Sequence, residues 1–166
     1  TVAQVLKKVE DLQGDYKIPV LVEKFIDGRE VTGVVFEDGK TRHVFLAEKK
    51  FRIKPDGKHE YTSIESYDNP NAAKYQLVEE ELEKKLTDLC AKAFEILRFS
   101  DYAKFDIRVD EKDGTPYFID CNPNTSFGPG DQPMTEVMKL HEIEFEEILA
   151  SLLSYHVKSP TRPKEI

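Results

Sequence analysis

The chain has 166 residues, 39% of them hydrophobic, which is enough for one compact core. Its 24 basic residues against 32 acidic ones leave a formal net charge of −8, a field that repels polyanions and argues against broad nucleic-acid binding. A single small phosphate ligand is not excluded, because it needs only a local cluster of donors and a divalent cation.

In chain order, Thr1 can cap a helix whose apolar positions Val2, Val5, Leu6, Val9 and Leu12 follow helical spacing, with Gly14 as its end. Residues 19–25 read as a buried strand, followed by the turn signal Asp27-Gly28. Residues 31–36 and 41–47 form a hairpin closed by Asp38-Gly39. The polar stretch 48–71, with Pro55, Gly57 and Pro70, reads as a long loop holding a short strand or two. Leu82, Leu86, Leu89, Cys90, Ala93, Phe94 and Leu97 then recur every three or four residues, opposite a face of Glu and Lys, and predict a helix. Two strands at 102–109 and 116–121 follow, joined by a turn that ends in Asp113-Gly114. Residues 122–131 have no periodicity, and 134–140 and the stripe Phe145, Ile148, Leu149, Leu152, Leu153 are helical. Strands in hairpins between helices, without strict strand–helix alternation, predict an α+β domain with a mainly antiparallel sheet over residues 1–158 and a fraying tail at 159–166.

Cys90 and Cys121 have no metal-ligand spacing, which suits a reducing, cytoplasmic setting. No apolar run approaches the roughly 20 residues a bilayer requires, and the start of the chain reads as a helix and not as a signal peptide. The four histidines are scattered and suit surface or helix-end roles.

The informative stretch begins at Lys104-Phe105-Asp106-Ile107-Arg108. On an extended strand Lys104, Asp106 and Arg108 share one face and Phe105, Ile107 and Val109 the other. On the partner strand Phe118, Asp120 and Asn122 share a face, so that Asp120 and Asn122 stand opposite Asp106 if the hairpin register allows. Either half alone reads as a solvated, salt-bridged face or an Asx-rich turn. Together they offer the hard oxygen ligands that Mg²⁺ prefers, flanked by cations suited to phosphoryl oxygens. Such charges make a poor core, because they must be compensated once desolvated.

These residues resemble the metal-binding hairpin of the ATP-grasp ligases, in particular the D-alanine:D-alanine ligase group. Upstream, the run Val20-Leu21-Val22-Glu23-Lys24-Phe25-Ile26-Asp27-Gly28-Arg29-Glu30-Val31 is similar to that family's strand beside the adenine pocket. The resemblance covers residues 1–156 or so and implies the carboxyl-terminal ATP-grasp subdomain of an enzyme that joins a carboxylate to an amine through an acyl phosphate. It implies ATP and Mg²⁺, or Mn²⁺ in its place, with Asp106, Asp120 and Asn122 as metal ligands, although the family more often has Glu at the middle position. It implies that Glu23, Lys24, Phe25 and Ile26 flank the base and that Glu30 holds the ribose hydroxyls. Lys104 stands where the family has Arg, and Arg108, two residues on, is the alternative contact for phosphoryl oxygens, which makes these two the expected catalytic cations. Ser126, Gly128 and Gly130 fall in a loop that the family sets near the reacting carboxylate. Within 61–68, Tyr67 occupies the position of a phosphate-contacting lysine. The resemblance further implies small-molecule substrates, amino-terminal domains outside this chain and a homodimer as one assembly, with a non-enzymatic nucleotide-binding or regulatory module as the rival reading.

Overall fold

The structure is a computed structural model and describes residues 1–51, 61–62, 72–130 and 132–158. Helix α1, Val2–Tyr16, starts with a capping box in which Thr1 and Gln4 satisfy each other's backbone donors. It runs through Gly14 and stops at Lys17, which takes the left-handed conformation at φ 55° and returns its N–H to the Gln13 carbonyl. A helical glycine costs helix stability but does not by itself terminate a helix. None of the residues of α1 is buried in this chain.

Residues 19–25 do not form the expected buried strand: they are irregular, and Leu21 is 80% exposed. The reason lies in the sheet, whose strand order is β3-β2-β1-β4-β5, antiparallel throughout. Its strands are β1 Gly28–Glu37, β2 Arg42–Phe51, β3 Ala73–Leu77, β4 Tyr102–Asp110 and β5 Pro116–Asn122. Both edges of β1 are taken, by β2 and by β4, so the chain that leads into β1 has no neighbouring ladder to join. An apolar run by itself does not distinguish a paired strand from an unpaired extended segment. Gly28, where β1 begins, has φ 149°, and a Cβ there would collide with the Val109 carbonyl oxygen.

The β1–β2 hairpin closes as expected, with the Asp38 carboxylate accepting from the Lys40 and Thr41 N–H groups at 2.8 Å each. Nothing in the pattern of Ala73–Leu77 announces β3; it exists because β2 extends to Phe51 and offers its outer edge. Helix α2, Glu80–Ile96, buries Leu82, Leu86, Cys90 and Phe94 from its stripe, and Glu80, Glu81 and Glu83 sit favourably in its first turn. These side chains pack with Val31, Val35, Leu46, Phe105, Ile107 and Val109 on one face of the sheet. On the other face helices α3, Pro133–Leu140, and α4, Phe145–Lys158, cover one end: Met134, Val137, Met138, Ile148 and Leu152 meet Val34, Phe36 and Ala47. The rest of that face is left to polar side chains. Among the described residues no helix is long and apolar enough to cross a membrane.

One edge of the α2 layer is held by charge. Arg29 takes Glu48 bidentately at 2.7 and 2.8 Å and also grips Glu79, which leads into α2. Burial pushes the Glu48 carboxyl up, but the hydrogen bonds from Arg29 and Lys50 outweigh it and leave it below its ordinary range. The same guanidinium holds the exposed Glu79 carboxyl at about 2, against an ordinary 4.5. A carboxyl lowered by folding stabilises the protein above its unfolded value and loses that contribution as pH falls through the folded one. The melting temperature should therefore fall between about pH 4.5 and 2, and less steeply in Arg29→Met; parallel curves for the two proteins would contradict this.

Candidate functional site

The register of the ladders sets side chains in rows across the open face. One row runs Tyr75, Lys49, Glu30, Arg108 from β3 to β4. The next runs Ala47, Thr32, Asp106, Asp120, and a third Val34, Lys104, Asn122. Neighbours within such a row have Cβ atoms about 4.5–5.5 Å apart. Asp106 and Asp120 are thus direct cross-strand neighbours, with Asn122 one row along, and Lys104, Asp106, Asp120 and Asn122 all line one cavity of about 310 Å³.

A β-bulge decides which β5 side chains reach this cavity. Asp106 pairs with Asp120 but Ile107 pairs with Phe118, so Ile119 is the extra residue. Simple alternation puts Phe118 on the face of Asp120; instead Phe118 packs against the α2 core and meets Phe105 edge-on at 5.5 Å between ring centroids. The bulge lets one short strand send its phenyl ring to the core and its carboxylate to the cavity.

The Asp106 carboxylate accepts from the Thr32 hydroxyl at 3.3 Å and from the Lys104 ammonium. The Asn122 side-chain oxygen accepts the Asn124 N–H at 3.0 Å, which closes an Asx turn and leaves its second lone pair. Asp120 is exposed, and its carboxylate has no hydrogen bond or ion pair among the described residues. Thr125 and Ser126 continue the wall, and the Gly128 carbonyl accepts from Thr135 at 2.7 Å, which ties the loop to α3.

Arg108 is not part of that cavity. It is 4% exposed; its Nε donates to the Ile26 carbonyl at 3.0 Å, its terminal nitrogen to Glu30 at 3.2 Å, and its plane lies 5.0 Å from the Phe25 ring centroid. In this arrangement it anchors the segment before β1 and is not a free phosphoryl contact. Glu30, 5% exposed, also accepts from the backbone and hydroxyl of Thr62. Of the residues expected to flank the base, Ile26 is buried while Glu23, Lys24 and Phe25 are exposed, and Phe25 meets Tyr61 at 5.4 Å. Tyr67 and the rest of 63–68 lie outside the described residues, as does His59. His141 is bonded to the Leu46 carbonyl and His156 to Asp101, away from the cavity.

Lys49, Thr32, Tyr75 and Thr62 line the cavity without having been singled out in the sequence. Hairpin arithmetic could have found Lys49: a turn that sets Glu37 opposite Arg42 also sets Glu30 opposite Lys49. Burial pulls the Lys49 amine below its ordinary range, with Lys104 adding to that and Glu30 and Asp106 opposing it. Burial pushes the Tyr75 hydroxyl up to about 12.

The donor set suits a small hard cation. No group of three or more His, Cys, Asp or Glu able to hold a metal occurs among the described residues. Asp106, Asp120 and Asn122 could offer such an ion two carboxylates and one amide oxygen, and Mg²⁺ ordinarily completes a shell of that kind with water and phosphate oxygens.

A five-stranded antiparallel sheet with helices packed on both faces matches the fold of the carboxyl-terminal ATP-grasp domain of D-alanine ligases. The chain belongs to the family of D-Ala-D-Ala ligase carboxyl-terminal domains, which matches residues 2–154. It is 33% identical over 118 residues to the D-alanine–D-alanine ligase of Legionella pneumophila (strain Corby), covering 68% of this chain and 32% of that protein. It is 28% identical over 142 residues to D-alanine–D-alanine ligase A of Bradyrhizobium diazoefficiens, covering 83% and 37%. It therefore spans about a third of the length of these relatives. Among solved structures it resembles D-alanyl-alanine synthetase A of Vibrio cholerae, with a TM-score of 0.71, 16% identity and coverage of 95% and 47%. It also resembles the Bacillus anthracis D-alanine–D-alanine ligase complexed with ATP, with a TM-score of 0.67, 18% identity and coverage of 92% and 47%. At these identities the structures speak for the fold alone.

Proposed function

We propose that this chain is the metal- and nucleotide-binding half of an ATP- and Mg²⁺-dependent ligase that joins a small carboxylate to an amine through an acyl phosphate. The observation that carries the reading is the pairing of Asp106 with Asp120 across the β4–β5 bulge, in a polar cavity with Asn122 one row away. Asp106, Asp120 and Asn122 would hold Mg²⁺, which would neutralise phosphoryl oxygens as charge shifts during transfer. Lys104 and Thr32 fix the Asp106 carboxylate by hydrogen bonds to its two oxygens. Arg108 holds the Ile26 carbonyl and Glu30 together, and so orients the segment 23–26 that would read the adenine edge and the acid that would accept from the ribose hydroxyls. Positioning and electrostatics of this kind supply most of the rate in phosphoryl transfer. The membership of a ligase family and the ATP complex of the Bacillus anthracis relative support the reading. The remaining substrate contacts belong to parts of the ligase beyond this chain, and a reaction that draws on ATP makes the cytoplasm its setting.

Calorimetric titration with ATP tests this directly. Mg²⁺ should tighten ATP binding by at least about tenfold, the scale of one charge-assisted contact, and Asp106→Asn should remove that gain. Equal affinity with and without Mg²⁺ in the unmodified protein would rule the metal site out.

A further inference from the structure

The charges that line the cavity and those beside it do not all cancel one another. Arg108 is paired with Glu30 at 3.2 Å and Lys104 with Asp106. Two groups are left over: among the described residues Asp120 has no cationic partner, and Lys49 has no carboxylate within ion-pairing distance. Lys49 is nonetheless held in place. It leaves β2 directly opposite Glu30, its amine lies 5.3 Å from the Phe51 ring centroid and 6.0 Å from that of Tyr75, and it donates to the Thr62 hydroxyl at 2.9 Å. An ammonium has three donors, so two remain for a ligand.

Its place is equally specific. A second cavity of about 470 Å³, lined by Asp27, Arg29 and Phe51 among others, adjoins the first, and Glu30 and Lys49 line both. Lys49 therefore stands at the boundary between the sugar-side acid and the acid pair one row further along β1.

Resting on the function proposed above, we propose that the Lys49 ammonium binds an anionic phosphate-ester oxygen of the nucleotide, between the sugar held at Glu30 and the metal held at Asp106 and Asp120. A ligand that carries negative oxygens and a divalent cation satisfies Lys49 and Asp120 at once, which neither residue achieves among the described residues. The partial desolvation of the amine, which lowers its pKa, leaves it receptive to an anion.

The test is equilibrium binding of adenosine, AMP and Mg-ATP to the intact protein, as wild type, Lys49→Met and Lys49→Arg. Lys49→Met keeps an apolar stem against Phe51 and Tyr75 and removes the charge. It should weaken AMP and Mg-ATP about tenfold or more, as loss of a charge-assisted hydrogen bond does, and leave adenosine unchanged. Lys49→Arg should recover most of the loss. Should Lys49→Met fail to fold, Lys49→Gln carries the same comparison. Equal losses for adenosine and the phosphorylated ligands, or no loss for any, would overturn the assignment and leave Lys49 a structural residue. If the wild type binds Mg-ATP with its Mg²⁺ dependence intact and Lys49→Met binds it equally well, only the assignment to Lys49 fails. If the wild type does not bind Mg-ATP, the proposed function fails and takes this assignment with it.

Discussion

Replacement of Asp120 by alanine should abolish measurable turnover in the complete ligase, by about a thousandfold or more, without lowering its melting temperature. The two halves of that expectation have separate causes. Asp120 is exposed and its carboxylate makes no hydrogen bond or ion pair with the described residues, and substitutions of such side chains ordinarily change stability by no more than about 0.5 kcal/mol. Yet it is one of only two carboxylates facing each other across the bulge, and loss of a preorganised electrostatic group costs on the order of a hundred- to a thousandfold in rate. A divalent cation lost with it would cost more. Asp120→Glu keeps the carboxylate and should retain most of the activity. Steady-state kinetics beside a thermal melt decide the matter: an alanine variant with normal turnover would remove the metal site from the mechanism.

Arg108→Met should behave in the opposite way, with its first effect on stability. The guanidinium and the Glu30 carboxylate are both buried, at 5% and 6% side-chain exposure. Removing the cation strands a buried anion, for which about 3–5 kcal/mol is the usual cost. It also leaves the Ile26 carbonyl without its donor, and the segment before β1 without its main tether to the sheet. Urea denaturation should show the loss as a lower midpoint with an unchanged slope. The double variant Arg108→Met, Glu30→Gln should recover a large part of it, because an amide is far cheaper to bury than an unpaired carboxylate. A single variant within about 1 kcal/mol of the wild type would mean that solvent reaches Glu30 and that the pair is not the anchor.

The two expectations separate the charged residues of one face by what each touches. On sequence spacing alone Lys104, Asp106 and Arg108 are equivalent, three charges on alternate positions of β4. In the structure Lys104 and Asp106 border the cavity, while Arg108 lies in the row that includes Glu30, beneath Phe25. Two residues along a strand is about 6.6 Å, enough to move a side chain from the cavity wall into a buried ion pair.

What the sequence determined by itself was local. The stripe of α2, the hairpin turns at Asp38-Gly39 and Asp113-Gly114, and the alternation of charge and aliphatic residues on β4 are periodic or conformational signals, read from neighbours a few positions apart. They suffice for the α+β class and for bringing Asp106 and Asp120 to one hairpin, and the resemblance to the ligases rests on the same residues. Tertiary structure decided what depends on pairing between distant segments. The full occupation of both β1 edges denied residues 19–25 a ladder, and the free edge of β2 made a strand of Ala73–Leu77. The bulge at Ile119 turned Phe118 inward and Asp120 outward. Lys49 entered the site only when the β1–β2 register set it against Glu30. Hydrogen-bond register and burial are properties of the assembled sheet, and a one-residue slip in a strand reverses the face of every side chain beyond it.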